Sequence, residues 1–245
     1  MKITISNKSS LIAILFSTFV VILVNHNFNY WNKKDGVIRW DIISYYAYLP
    51  AFFVYHDLEL KFHKYEEEEV YIMWPKQLDN GQKLIKTTMG LSFMYLPFFL
   101  MAHGYAHFTG LAATGYTSVY KYFIVLSTIF YFFLGGWFVR KILLKYFDDK
   151  TTAITLIVIT LGTNLYFFST FGAPMPHTYL FFLFAFFLWL TISWYETPKI
   201  GKAIMIGLTG GLITLIRPTD IIIVIIFIFY GMITFEDVKM RIKLF

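Results

Sequence analysis

Long apolar runs constrain this chain most, because roughly 17 to 25 apolar residues make a helix long enough to cross a bilayer. The first is Leu11 to Val24, and with its flanking small residues Ser9 to Asn25 just suffices to cross. Asn25-His26-Asn27 offers no small-residue cleavage site, so this run reads as an uncleaved span rather than a signal peptide. Val119 to Val139, Thr152 to Phe171 and Thr178 to Tyr195 follow. The last run, Ala203 to Phe235, would reach about 50 Å as one helix, against a hydrocarbon core of about 30 Å. It is interrupted by Arg217-Pro218-Thr219-Asp220 and must break or fold back. Hydrophobic residues make up 58% of the chain and charged residues only 15%, with a mean hydropathy of +0.60. Soluble domains are about 25% charged. The expected class is an all-α integral membrane protein, a multi-span helical bundle forming one transmembrane domain over residues 1–245. Without cysteine, disulfide and thiolate chemistry are excluded. The net charge of +6 is no nucleic-acid footprint, since the basic residues sit in small groups at the ends of apolar runs.

Those groups read as topology signals, because Lys and Arg collect at the cytoplasmic ends of spans. They cluster at Arg140, Lys141, Lys145 and Lys150, at Lys199 and Lys202, and at Lys239, Arg241 and Lys243. With Lys2 and Lys8 also inside, parity leaves no crossing for residues 89–108, a run already weakened by Pro97, His103, Gly104 and His107. These residues are expected to form a juxtamembrane or re-entrant pair of helices within one large outer region, residues 26–118. The run 203–235 then becomes two short legs, with Arg217 to Asp220 at the outer side. Lys33, Lys34 and Arg39 lie outside in this arrangement, which a long loop tolerates.

Residues 39–60, RWDIISYYAYLPAFFVYHDLEL, carry the densest pattern of that outer region. Asp41, Tyr45 and Tyr48 recur at i, i+4 and i+7 and share one helical face, while Ile42, Ile43, Tyr46, Leu49 and Phe53 take the other. Such a helix is expected to lie flat in the bilayer interface, where a tyrosine ring keeps one end wet. Pro50 cannot donate a helical hydrogen bond, so the segment should bend there and resume through Ala51 to Tyr55. Asp41 and the pair His56-Asp57 would then stand at opposite ends of one feature. Further along, Glu66 to Glu69 read as a solvated face or turn, and Asp79-Asn80-Gly81 as the turn of a short hairpin. His103 and His107 have the i, i+4 spacing of a metal pair but no third ligand nearby in sequence, which favours packing or hydrogen bonding. Arg217 stands inside an apolar run, where a guanidinium is costly unless paired. Either Asp220 at i+3 is its structural partner, or it receives a phosphate, whose oxygens its fork matches. No Walker loop, G-x-S-x-G elbow or H-E-x-x-H motif is present, which argues against nucleotide-driven transport and soluble hydrolase chemistry.

Three stretches, WDIISYYAYLPAFFVYHDLEL, KTTMGLSFMYLPFFLMAH and GLTGGLITLIRPTDIII, together with a first span that leads at once to an acid in a large outer loop, carry a family resemblance. The chain resembles the GT-C class of membrane glycosyltransferases, of the bacterial mannosyltransferase-like type. The resemblance implies transfer of a sugar from a polyprenyl-phosphate-linked donor to a glycan, lipid or protein acceptor, at the extracytoplasmic face of a bacterial inner membrane. It implies a catalytic acid shortly after the first span, matched by Asp41, with Asp57 as the second candidate. A carboxylate there can deprotonate an acceptor hydroxyl, or hold a divalent cation, Mg²⁺ or Mn²⁺, against the departing phosphate. In the next outer loop, FGAPMPH, the chain departs from the family: there is no acid, and His177 is the only ionisable group, which leaves metal use open. Donor binding falls to Tyr45, Tyr48, Lys86, His177, Arg217 and Asp220. Further spans and an outer carboxy-terminal part beyond Phe245 are also implied. A second reading stands beside this one: a non-enzymatic transporter, flippase-like unit or assembly protein, in which the broken helix at Arg217 binds an anionic lipid or substrate. The sequence shows no repeat symmetry between its halves, which favours the enzyme.

Overall fold

The computed structural model describes residues 8–59, 76–85, 87–232 and 234–242; Lys86 and the run Glu66 to Glu69 lie outside the described residues. Along the chain, α1 (Lys8–Phe28) leads through a 3-10 turn to α2 (Asp41–Tyr46) and α3 (Tyr48–Phe53). A small antiparallel hairpin follows, β1 (Lys76–Gln77) with β2 (Lys83–Leu84), turning at Gly81 with φ 81°. Then come α4 (Gly90–Thr109), α5 (Ser118–Leu143), α6 (Asp149–Leu161), α7 (Asn164–Ser169), α8 (Pro176–Glu196) and α9 (Ile200–Ile216). A 3-10 helix at Pro218–Ile223 runs into α10 (Val224–Phe229), and α11 (Phe235–Ile242) is the last element described. The molecule is overwhelmingly helical. Among the described residues, three helices are long and apolar enough to cross a membrane: α1, α5 and α8.

Helix α5 is the pillar, and its two adjacent glycines explain how. A Cβ on Gly136 would stand 2.0 Å from Ile14 of α1, and one on Gly135 would stand 2.4 Å from Phe181 of α8. The bare backbone therefore lets α1 and α8 close on α5 from two directions, the way small residues serve packing between apolar helices. Hydroxyls then set the register. Ser127 and Thr128 of α5 bond the Tyr179 hydroxyl of α8 at 2.6 and 2.9 Å, Thr160 of α6 donates to Ser17 of α1, and Asn25 of α1 donates to the Ser169 carbonyl. Each of these groups is buried, and an unmade hydrogen bond there would cost about 1–3 kcal/mol. At the end of the bundle that carries Lys141 and Lys145, Asp149 accepts from the Ser9 and Ser10 N–H groups and from the Ser10 hydroxyl. The same Ser10 oxygen accepts from Nε of buried Arg140 at 2.8 Å, so one serine links a cation to an anion and closes the amino end of α1.

Four sequence expectations need correction. Thr152 to Phe171 is not one rod: α6 ends at Gly162, and Thr163 caps the separate α7 by accepting from the Leu165 N–H. A glycine followed by a strong N-cap residue stops one helix and starts another. Residues 89–108 are not a pair of helices, since α4 runs unbroken through Pro97. One missing hydrogen bond is tolerated because α4 packs on both sides of the proline, with Tyr95 against Tyr179 and Phe99 against Tyr120. The face of α2 expected to be wet is not left open at Tyr45, which is buried. Ile42, Ile43, Tyr45, Tyr46, Leu49 and Ala51 are all buried, while Asp41 and Phe52 stay exposed. Its break comes at Ala47 and not at Pro50, which sits in the first turn of α3, where the missing N–H leaves nothing unmade. The fifth apolar run breaks at Arg217, and the leg beyond it returns along α8 and α9. Gly210 faces Val224, the Tyr195 hydroxyl donates to the Phe227 carbonyl, and the Tyr230 hydroxyl meets that of Tyr146.

Removing the Asp149 carboxylate, in Asp149→Ala, takes away the anion that acts on buried Arg140 and the acceptor that holds the amino end of α1. The expected loss is about 2–4 kcal/mol, since hydrogen bonds to charged groups are each worth about 1.5–3 kcal/mol. A thermal unfolding series in detergent, with Glu236→Ala at an exposed ion pair as the near-neutral control, measures it.

Candidate functional site

The first turn of α4 is the scaffold on which the candidate residues meet. A Cβ on Gly90 would lie 2.5 Å from the Ile216 nitrogen and the Leu215 carbonyl carbon, so the start of α4 touches the end of α9 backbone to backbone. Thr88 donates to the Ile216 carbonyl at 3.1 Å and strengthens the same seam. From the other side, the Ser92 hydroxyl donates to the Tyr45 carbonyl, and the Tyr48 hydroxyl donates to the Thr87 carbonyl at 2.7 Å. One turn further, the Tyr95 hydroxyl donates to the Pro174 carbonyl and holds the loop that delivers His177. Three stretches that are far apart in sequence are thus drawn to one helical turn.

Arg217 terminates α9 and is exposed; its charge acts on both Tyr45 and His177. Asp41 also acts on Tyr45, and Asp220 on His177. Asp41, Tyr45, His177, Arg217 and Asp220 therefore form one electrostatic cluster. Burial raises the Tyr45 phenol above its usual pKa, with Arg217 opposing and Asp41 adding to the rise, so it stays a neutral donor at physiological pH. Its hydroxyl has no hydrogen-bond partner among the described residues. The His177 ring stacks on Phe168 at 3.6 Å, and its buried Nδ1 has no partner either.

Neither bland pairing is made. Arg217 forms no ion pair with Asp220, whose carboxylate takes the Thr219 hydroxyl at 3.3 Å. Arg39 turns away from Asp41: its guanidinium lies over the Trp40 ring at 4.3 Å and donates to the Phe171 carbonyl at 3.2 Å. That bond ties the entrance of α2 to the His177 loop. Trp40 itself, 63% exposed, holds φ at 50°, a value bulky residues avoid and one that collects at functional sites. Asp41 is left exposed, at the first position of α2, where the helix dipole favours an anion.

Other sequence candidates fall elsewhere. Tyr48 spends its hydroxyl on Thr87 and positions α4. Asp57 sits past the far end of α3 and accepts from the Glu59 N–H, a local turn; the neighbouring Tyr55 donates to Thr114 in the loop between α4 and α5. Lys86 lies outside the described residues. Gly90, Ser92, Tyr95 and Arg39 emerge as positioning residues that sequence reasoning missed, although Gly90 does stand at the first position of a helix, within a stretch already singled out.

Beside the cluster, an apolar groove of about 530 Å³ opens between α9 and the returning leg. Gly207, Gly210, Gly211 and Thr214 line one wall, and Pro218, Ile221, Val224 and Phe227 the other, with Thr88 at the seam. Pro218, which lines the groove, directly follows Arg217. No protein-family model, curated protein or solved structure matches this chain.

Gly90→Ala places a methyl group against backbone that cannot yield. It is expected to lower stability by about 1–3 kcal/mol, as overpacking does. Gly104→Ala in the same helix, where a Cβ meets nothing, should be neutral or stabilising by up to about 1 kcal/mol. Paired melting curves of the two variants separate the close approach from ordinary helix propensity.

Proposed function

We propose that this chain is a multi-span membrane enzyme that moves a sugar from a polyprenyl-phosphate donor to an acceptor hydroxyl at the extracytoplasmic face of a bacterial inner membrane. The observation that carries the reading is that the charges of Asp41, Arg217 and Asp220 bear on Tyr45 and His177, while Pro218, the residue after Arg217, lines an apolar groove. An anionic headgroup with a long apolar tail has the chemistry to fill both parts at once. Arg217 receives the phosphate through its planar fork, Tyr45 and His177 donate to its remaining oxygens, and the tail follows the glycine-lined wall of α9. Asp41 takes the proton from the acceptor oxygen as that oxygen attacks the anomeric carbon and the phosphate leaves with its electron pair. An acid free of ion pairing suits that role. It also fits Mg²⁺ or Mn²⁺, hard ions commonly held by one or two carboxylates together with substrate phosphate, whose charge would offset that of the leaving group.

A second reading draws on a different observation. Two apolar runs are discontinuous, at Gly162 and at Arg217, and broken helices aimed at an anion are a transporter device. Chemistry distinguishes the two. In proteoliposomes supplied with a panel of polyprenyl-phosphate sugars, Asp41→Asn should cut sugar transfer by about 10²–10⁴-fold while donor binding persists. Arg217→Lys should weaken donor binding instead, because a point charge replaces a bidentate fork. Transfer at the wild-type rate by Asp41→Asn would remove this residue from the chemistry, and substrate movement without any turnover by the wild type would leave the transport reading.

The topology behind this reading places residues 26–118 outside and does not require α4 to cross. Single cysteines at Thr114 and Lys145 should then react with an impermeant thiol reagent from opposite sides of the membrane. Labelling from the same side would exclude the arrangement.

A further inference from the structure

The carboxy-terminal half of α4 carries a second constellation, with no role in the reaction just described. His103 and His107 lie one helical turn apart, and their Nε2 atoms stand 3.2 Å from each other with the rings at 88°. Two imidazole nitrogens bound to one metal at about 2.0–2.1 Å, with angles between octahedral and tetrahedral, stand about 2.9–3.4 Å apart. The nitrogens therefore already hold chelating separation. His103 is also fixed in place: its ring stacks on Phe99 at an interplanar angle of 11°, and its Nδ1 lies 2.6 Å from the Tyr120 hydroxyl. With Nδ1–H donating to the tyrosine oxygen, the Nε2 lone pair faces His107, the tautomer control that metal-binding histidines obtain from an outer partner. His107 is exposed, so water can reach the remaining coordination positions.

The geometry points to a two-histidine chelate for a divalent transition ion of the Zn²⁺, Ni²⁺ or Cu²⁺ kind on α4, with Tyr120 as its positioning partner. Imidazole suits these ions, whereas the hard cations expected at carboxylates and phosphates do not compete for it. Two protein ligands fall short of the four that close a structural zinc site, so the bound ion keeps open positions and exchanges readily. The inference is independent of the sugar-transfer reading, because none of its residues belongs to the Asp41 cluster.

A plain hydrogen bond between the two rings would use the same separation, so the test must be the metal itself. The protein, prepared without a histidine tag, is titrated with Cu²⁺, the strongest binder of the series, and followed by electron paramagnetic resonance. Wild type should bind one equivalent more than the double variant His103→Ala/His107→Ala, with hyperfine structure from two nitrogens at the extra site. His107→Gln, which keeps a hydrogen-bonding side chain, should lose that equivalent. Tyr120→Phe should keep it at about tenfold weaker affinity or more, the usual cost of losing an outer partner. Equal copper uptake by wild type and the double variant, or a one-nitrogen pattern, would overturn the chelate and leave a hydrogen-bonded pair.

Discussion

The contact on which this structure turns is the meeting of two backbones, Gly90 at the start of α4 against Leu215 and Ile216 at the end of α9. No side chain intervenes, so the separation is set by main-chain atoms and cannot relax by a change of rotamer. Everything in the candidate site is referred to that seam. Arg217 is the next residue after it on one side, and Tyr45 is hung from Ser92, two residues along, on the other. The hydrogen bonds that hold the cluster run from tyrosine, serine and threonine hydroxyls to backbone carbonyls, at Tyr48, Thr88, Ser92 and Tyr95. Apart from Arg39, which donates to the Phe171 carbonyl, assembly by neutral hydroxyls leaves the charged groups unspent. Asp41 and Arg217 both bear on Tyr45 without forming an ion pair with each other, which leaves both charges available to an ionic ligand.

The same economy governs the rest of the bundle. Helices with apolar surfaces gain little specificity from contact with one another, because neighbouring chain and surrounding lipid are about equally apolar. Register must come from shape and from polar groups that tolerate only one partner. Gly135 and Gly136 supply the shape, and the bonds of Ser127, Thr128, Tyr179, Ser17, Thr160 and Asn25 supply the partners. At one end, Arg140, Ser10 and Asp149 form a chain in which no charge is left alone. At the other end, the buried Nδ1 of His177 has no partner among the described residues.

Helix breaks show how a local signal is overruled. Proline is a strong interrupter in a sequence read alone, yet Pro97 lies inside α4 and Pro50 inside α3, while breaks occur at Ala47, Gly162 and Arg217. Pro97 survives because packing against Tyr179 and Tyr120 on either side outweighs one lost hydrogen bond. Pro50 survives because it falls in a first turn, where no bond is lost. Gly162 breaks its run because Thr163 offers the next helix a better start than the previous one offers a continuation. Burial of the tyrosine-rich segment has a related cause: Tyr46 and Tyr55 are clamped to the carbonyls of Gly115 and Thr114, and a ring committed to a loop carbonyl is not free to sit at a wet interface.

From the sequence alone came the helical, strongly apolar character, the approximate places of α1, α5 and α8, the hairpin around Asp79 to Gly81, and the need for the fifth run to break near Arg217. These follow from run length, composition and turn chemistry, all properties of neighbouring residues. Asp41, Tyr45, His177, Arg217 and Asp220 could be singled out as candidates in the sequence, as polar residues in or beside apolar stretches. That they form one cluster was not legible, because it depends on contacts between residues well over a hundred positions apart. Nor could the sequence tell that Tyr48 and Asp57 are spent on Thr87 and Glu59, that Arg39 serves Phe171 and not Asp41, or that Gly90 is the hinge of the whole arrangement. A glycine at the start of a helix looks ordinary until another backbone is found pressed against it, and only the tertiary structure supplies that second backbone.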